Sequence, residues 1–182
     1  MLPTLIGMLL AKKNRQENRT LFIPDGYISD QRRAPVCRMR YGVARMGFNG
    51  CEVLAAYHAL YSLGCKLPLW QVAEDFSRRG LWLFGIFGTL PRAIPAFFRR
   101  RGFTVTRYSP RHPDDGIAQS VLIYSYWNPH FRGIHTVEFH KTPRGYVVVN
   151  YAPLMGMVFP SPGVLCDAIP AARRIQLIGI RK

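Results

Sequence analysis

The feature of this sequence that most constrains its fold is a change of pattern at Gly102. Before it, apolar residues lie at helical spacing in runs that end at a glycine. After it, short β-branched and aromatic runs alternate with turn residues. The pattern predicts helices at 52–63, 68–79 and 91–101, and strands at 103–108, 121–126, 134–139, 146–151 and 175–180. Helices followed by strands predict an α+β fold, with an N-terminal helical half packed on a C-terminal antiparallel β-sheet.

The first predicted helix, EVLAAYHALYSL, contains no glycine or proline and is apolar on most sides. Such a helix is typical of a protein core rather than of a surface. Gly64 follows it, at the position where a helix commonly ends. A hairpin at Pro143-Arg144-Gly145 is expected to join the third and fourth predicted strands.

The length of 182 residues suits one domain. Residues 1–40 are rich in charged residues and in loop signals such as Pro24-Asp25-Gly26, and we expect an irregular basic N-terminal arm there. Residues 41–182 are then expected to form a single domain. Four cysteines occur, at positions 37, 51, 65 and 166, and none form a C-x-x-C pair, which argues against a disulfide framework.

The charge balance is strongly basic, with 25 Lys and Arg against 10 Asp and Glu, for a net charge of +15. This charge favours anionic partners. The basic residues are dispersed and no nucleic-acid-binding signature is present, so a solvated basic surface is favoured over nucleic-acid binding.

Membrane, secretory and metal signals are weak in this sequence. No apolar run approaches the roughly 18 residues of a transmembrane segment. The apolar start, MLPTLIGMLL, lacks the charge order of a secretory signal, so we expect a soluble, cytoplasmic protein, with contact of the N-terminus with a membrane or partner left open. The histidines at positions 130, 135 and 140 are five apart, which on a strand alternates their faces, so no metal site is predicted.

Cys51 is the first candidate for chemistry. It follows Asn49-Gly50 and opens the predicted buried helix. The N–H groups and the positive dipole end of a helix N-terminus favour a thiolate. A lone cysteine beside an apolar helix is more often a small core residue, so this position alone is weak evidence.

A histidine and an asparagine strengthen the case. His135 begins one strand of the predicted hairpin and Asn150 ends the other, so the two should lie close together near its open end. An imidazole there could bond to the side-chain carbonyl of the asparagine, which would fix the tautomer that faces a thiol.

The stretches NGCEVLAAYHAL and GIHTVEFHKTPRGYVVVNYAP resemble the papain-like cysteine peptidases, and among them the peptidase C39-like group. The resemblance covers roughly 42–152 and implies a papain-like cysteine protease fold for 41–182. It also implies Cys51 as nucleophile, His135 as general base and acid, and Asn150 as the residue that orients the imidazole. A peptide or protein substrate and no cofactor are implied as well.

Two departures from the family stand out. The family places an oxyanion-binding glutamine shortly before the cysteine, where this chain has Arg45, so that Arg45 or Asn49 would have to donate instead. The residue after the cysteine is Glu52 rather than glycine, and its negative charge would raise the thiol pKa. We therefore expect a site that is either tuned for different chemistry or weakened.

Aromatic segments flank these candidates. Trp127 and Asn128, in SYWNPHFRGIH, precede His135 and could form the wall of a substrate cleft, and Glu52 is a third candidate for this cleft. Loop packing is an equal alternative for the first two. The segment GLWLFGIFGT interleaves Trp82, Phe84 and Phe87 with glycines, a pattern that fits either a flap over a groove or ordinary packing.

Two function classes follow. The first is a cysteine peptidase or amide hydrolase that uses a Cys-His-Asn triad. The second is a catalytically impaired papain-like scaffold that binds a peptide, protein or nucleic acid.

Overall fold

The computed structural model describes residues 5–90, 92–130 and 133–182, and it is an α+β fold with helices and an antiparallel sheet. The helices are α1 (Leu5–Arg19), α2 (Met46–Asn49), α3 (Cys51–Ser62), α4 (Leu69–Arg79), α5 (Ala93–Arg99) and α6 (Pro162–Ala168). The strands are β1 (Arg40–Tyr41), β2 (Ala44–Arg45), β3 (Thr104–Tyr108), β4 (Val121–Asn128), β5 (Gly133–Thr142), β6 (Gly145–Val149) and β7 (Arg173–Arg181). The predicted helices and strands are present, with α5 shorter at both ends than the predicted 91–101; Pro91 lies outside the described residues.

The main sheet has five antiparallel strands in the order β3-β7-β4-β5-β6, and β1 and β2 form a separate two-stranded hairpin. The predicted turn at 143–145 joins β5 to β6, with Thr142 opposite Gly145. Strand β4 is buried along nearly its whole length, which explains why its sequence is a continuous apolar and aromatic run rather than an alternating one.

Helix α3 lies between the other helices and one face of the sheet. Ten of its twelve residues are buried, as its all-round apolar pattern predicts. Its core contacts come from α4 and α5 on one side, and from sheet residues such as Val121, Ile123 and Ile178 on the other. The opposite face of the sheet carries a second core, in which Tyr124, Tyr126 and Phe139 pack with residues of α6 and neighbouring segments.

The prediction of an irregular arm is wrong for residues 5–19, which form helix α1. The buried side of α1 consists of Gly7, Ala11, Asn14 and Asn18. This stripe is small and polar, so it lacks the hydrophobic periodicity that identifies a packed helix. Hydrogen bonds of the two asparagines hold α1 in place: Asn14 donates to Gly42 O (2.8 Å), and Asn18 accepts from Arg40 N (2.7 Å).

Candidate functional site

Cys51 is the first residue of α3, and only Gly50 separates this helix from the one-turn helix α2. A Cβ atom at Gly50 would lie 2.7 Å from the backbone oxygen of Met46, too close for any other residue without a shift. Glycine at this junction therefore permits the sharp entry into α3 that brings Cys51 to the sheet. The predicted helix start is confirmed, while α2 was not predicted.

The sulfur of Cys51 lies at an open part of the edge of β5. Strand β6 pairs only with Glu138–Thr142 of β5, and Asn150 then turns the chain away with a φ of +63°. This leaves the backbone near Ile134 without a neighbouring strand on that side. The Cys51 Sγ fills the position, 3.7 Å from Ile134 O, directly beside His135.

The thiol of Cys51 is buried, with 5% of the residue exposed, and it donates a hydrogen bond to Glu52 Oε2 (3.2 Å). Burial raises the pKa of Cys51 well above its usual range, and the neighbouring Glu52 carboxyl raises it further. Burial also raises the pKa of Glu52 to about 7. The resting thiol is therefore protonated, in line with the raised thiol pKa that the sequence predicts from Glu52.

His135 lies on the other face of β5. It is opposite Tyr126 across the β4–β5 ladder, and the two rings make an edge contact with centroids 5.8 Å apart. Glu138, three residues after His135, points to the α3 side, where it accepts a hydrogen bond from Ser62 (2.7 Å). The imidazole and the thiol therefore approach the same strand edge from its two faces.

The ring of His135 is oriented by the backbone of Asn150 and not by its side chain. Nε2 lies 3.1 Å from Asn150 O, and since a carbonyl oxygen only accepts, Nε2 carries the proton. In the neutral ring Nδ1 is then the basic nitrogen. Burial lowers the pKa of His135, which keeps the ring neutral at pH 7. The predicted proximity of His135 and Asn150 is confirmed, but the predicted side-chain bond is not the one observed.

The amide side chain of Asn150 pairs instead with Gln31. Gln31 N donates to Asn150 Oδ1 (3.3 Å), and Asn150 Nδ2 donates to Gln31 Oε1 (3.3 Å). Gln31 Nε2 reaches on to Gly47 O (3.4 Å), close to the start of α3. Sequence analysis did not single out Gln31, because nothing local marks a contact across 119 residues of chain.

Gln31 belongs to a segment, residues 26–33, that we call the strap. Its Tyr27 stacks on His140 with ring centroids 4.7 Å apart and shares a hydrogen bond with Ser62 (3.0 Å). Ile28 N donates to His58 Nε2 (3.0 Å). These contacts hold the strap against α3 and β5, and its Gln31 lies at the corner formed by Asn150 and the start of α3.

Both side-chain oxyanion candidates are engaged elsewhere. Arg45 is exposed and its Nη1 donates to Arg38 O (2.9 Å). Asn49 is buried, and its Nδ2 donates to Tyr41 O (3.3 Å) and to Gly85 O. Both candidate donors therefore bind backbone carbonyl oxygens.

The two predicted cleft residues differ. Trp127 is 40% exposed and lies opposite Ile134, whose carbonyl contacts Cys51, so its indole flanks the site. Asn128 is buried, and its Oδ1 accepts from His130 N (2.9 Å) in a local turn. Asn128 therefore stabilises the turn that follows β4, and its predicted place in a cleft wall stays a prediction.

Within the described ranges, no three His, Cys, Asp or Glu side chains come together as a metal ion would require. The four cysteines, all of them described, are free thiols. None of the described helices combines the length and apolar character needed to cross a bilayer. Comparisons with protein-family models, curated proteins and solved structures found no match.

Proposed function

We propose that this chain is a thiol hydrolase of papain-like architecture, held closed by its strap. The observation that carries the proposal is that three residues far apart in sequence lie at the same edge of β5. The Cys51 sulfur contacts the backbone beside His135, and the His135 ring is bound by Asn150. A buried nucleophile, a neutral base in the correct tautomer and an orienting group are the parts that acyl transfer requires.

The chemistry would use general-base catalysis and not a preformed ion pair. Because the thiol pKa is raised and the imidazole pKa is lowered, both groups are neutral at rest. Cys51 would lose its proton to His135 Nδ1 as the sulfur attacks an amide carbonyl and a C–S bond forms. The proton then passes from His135 to the leaving amine as the C–N bond breaks. Water hydrolyses the thioester and regenerates the thiol.

This sequence of steps requires the strap to open. Cys51 is only 5% exposed, and Gln31 binds the amide of Asn150 and reaches Gly47 beside the start of α3, so we expect these bonds to break before a substrate carbonyl reaches the sulfur. The reaction also requires the His135 ring to leave Asn150 O and to turn around the free edge of β5 toward the sulfur. Trp127, exposed beside Ile134, would then line the entrance.

A second function, a non-catalytic binding scaffold, is favoured by one observation. Arg45 and Asn49, the two candidates for the missing oxyanion donor, donate hydrogen bonds to backbone carbonyl oxygens instead. Losing one oxyanion donor typically costs about 10²- to 10³-fold in rate. A chain of this kind would keep the architecture and bind a peptide, protein or nucleic acid without turning it over.

Acylation by p-nitrophenyl acetate separates the two functions. The acetyl group on each cysteine is quantified by peptide mass spectrometry in the parent chain, in Gln31→Ala and in Gln31→Ala/His135→Ala. We expect Gln31→Ala to accelerate acetylation of Cys51, and the added His135→Ala to slow it by about 10²-fold or more, the usual effect of a general base. His112→Ala, an exposed histidine between β3 and β4 and away from the strap, is the matched histidine control and should leave the rate in the Gln31→Ala background unchanged.

The readout distinguishes catalysis from simple exposure. If the strap only shields the sulfur, Gln31→Ala would accelerate Cys51 whether or not His135 is present. Acetylation of Cys51 that is indifferent to His135→Ala would overturn the hydrolase and leave the scaffold. Tyr27→Ala, which removes a different strap contact, provides a second background for the same comparison.

A further inference from the structure

Helix α1 presents an apolar surface to solvent at its N-terminal end. Leu5, Ile6, Met8 and Leu9 are all exposed, although the opposite side of the helix is packed against the protein. Farther along the same outer face, Lys12 and Lys13 are exposed. The helix thus has an apolar end followed directly by a basic turn, an arrangement typical of helices that lie at a membrane interface.

A second apolar segment is the loop at 82–87, which a bridge between Leu81 and Thr89 closes into a hairpin. Leu83 and Phe84 adopt positive φ angles of 44° and 58°, unusual for large side chains, and both are exposed. Ile86 and Phe87 are exposed as well, Phe87 at 60%. The backbone of the loop lies against the start of α3, where Asn49 donates to Gly85 O, while its large side chains are exposed to solvent. The prediction of ordinary packing is therefore wrong for these exposed side chains, and the prediction of a flap stays a prediction.

The helix end and the loop lie at the same end of the molecule. Helix α1 runs antiparallel to α4, with Arg19 over Trp70 and Arg15 3.6 Å from Glu74. The first turns of α1 therefore point toward the end of α4, where the loop begins. The β1–β2 turn connects them: Asn14 of α1 binds Gly42 O, and the next residue, Val43, donates its N–H to Phe84 O (3.0 Å).

The charge around this end is of one sign. The segments 5–16, 42–48 and 80–92, which build it, contain no Asp or Glu. Exposed basic residues border the apolar side chains, namely Lys12, Lys13, Arg45 and Arg92. A second copy of this chain, itself at +15, would be repelled by such a surface. A uniformly negative surface with an apolar interior complements both features.

We propose that this end docks on an anionic lipid membrane, with the apolar side chains of α1 and of the 82–87 loop inserted between lipid headgroups. The lysines and arginines around them would contact the headgroup phosphates and carboxylates. Docking is peripheral and reversible, since the inserted area is a helix end and one loop. The proposal is independent of the chemistry at Cys51.

Vesicle co-sedimentation tests whether the apolar side chains of α1 and of the 82–87 loop insert into the membrane. We expect the full chain to bind phosphatidylcholine vesicles that contain about a third phosphatidylserine, and not pure phosphatidylcholine vesicles. Ile86→Ser/Phe87→Ser should weaken partitioning at least about tenfold, because two large side chains no longer leave water. Leu5→Ser/Leu9→Ser tests the helix in the same way. Phe22→Ser is the matched control, since Phe22 is 84% exposed but follows the other end of α1.

A pair of charge-reversal variants tests the contribution of the basic residues to membrane binding. Lys12→Glu/Lys13→Glu should weaken binding, whereas Lys141→Glu/Arg144→Glu, at the exposed β5–β6 hairpin, changes the net charge equally and should have a smaller effect. The proposal is overturned if the parent chain does not bind anionic vesicles or binds neutral ones equally. It is also overturned if Ile86→Ser/Phe87→Ser binds the vesicles as well as Phe22→Ser does. A parent chain that is dimeric without lipid, and that this double substitution makes monomeric, would overturn it too.

Discussion

The thiol of Cys51 and the carboxyl group of Glu52 are joined by a hydrogen bond of 3.2 Å in a buried site. Adjacent residues at a helix start seldom face each other, and here the contact couples a nucleophile to an acid. When Glu52 is ionised its charge opposes formation of a thiolate, and when it is protonated the site is neutral. The reactivity of Cys51 and the stability of the fold both depend on this carboxyl.

The first prediction concerns thiol reactivity. Glu52→Gln removes a negative charge beside the sulfur and keeps an oxygen that can accept from it. We expect alkylation of Cys51 by iodoacetamide at about pH 8 to accelerate about tenfold, since a decrease of one pKa unit raises the thiolate fraction tenfold. Mass spectrometry of the Cys51 peptide measures the rate.

Two controls accompany this measurement. Glu17→Gln removes an exposed charge on α1 and should leave Cys51 unaffected. Cys166, whose pKa burial raises to about 12, should stay unreactive in every variant. Equal alkylation rates of Cys51 in Glu52→Gln and in the parent would contradict the coupling.

The second prediction concerns stability. Burial raises the pKa of Glu52 from 4.5 to about 7, so between these pH values the native chain holds a proton that the unfolded chain has released. The free energy of unfolding should therefore fall as pH rises through this range. Glu52→Gln removes the effect and should be more stable than the parent by about 3 kcal/mol at about pH 8, at about 1.4 kcal/mol per pKa unit.

Urea unfolding at several pH values checks it. Near pH 4.5, where Glu52 is protonated in the native chain, the variant and the parent should differ little. A stability difference that is the same at both ends of the range would show that Glu52 does not titrate as its burial requires.

The third prediction has the opposite sign. His58 is fully buried beneath the strap, and burial, with a contribution from nearby His140, lowers its pKa to about 3. Below pH 6.5 the unfolded chain binds a proton at this residue that the native chain excludes. Stability should therefore be lost as pH falls from 6.5, by about 2 kcal/mol at about pH 5.

His58→Gln should abolish this slope, because the amide oxygen can accept from Ile28 N without titrating. The measured quantity is the difference in unfolding free energy between variant and parent, taken at each pH so that other groups cancel. Parallel curves for the two chains would refute the assignment to His58.

The main features of the fold could be predicted from the sequence because their signals are local. The strands are marked by β-branched runs between turn residues, and α3 by an apolar run that ends at Gly64. The meeting of His135 with Asn150 followed from hairpin geometry alone. Helix α1 could not be predicted in this way, because Gly7, Ala11, Asn14 and Asn18 form a buried stripe without hydrophobic residues.

The details of the site depend on long-range contacts that no local pattern encodes. The positive φ of Asn150 turns its side chain to Gln31, which leaves its backbone oxygen to orient His135. Only the assembled sheet brings the strap to this corner. The candidate residues were therefore predictable, while the partner of each was not.

The last prediction concerns the strap. Gln31→Ala removes the hydrogen bonds of its side chain to Asn150 and Gly47, so segment 26–33 should open more often. Each hydrogen bond of this kind contributes about 1 kcal/mol, so amide exchange in the segment should accelerate roughly tenfold or more. Hydrogen exchange followed by mass spectrometry measures this, with Gln16→Ala on the exposed face of α1 as the matched control. Faster exchange throughout the sheet would indicate global destabilisation, whereas acceleration confined to 26–33 and the start of α3 is what a local closure over Cys51 requires.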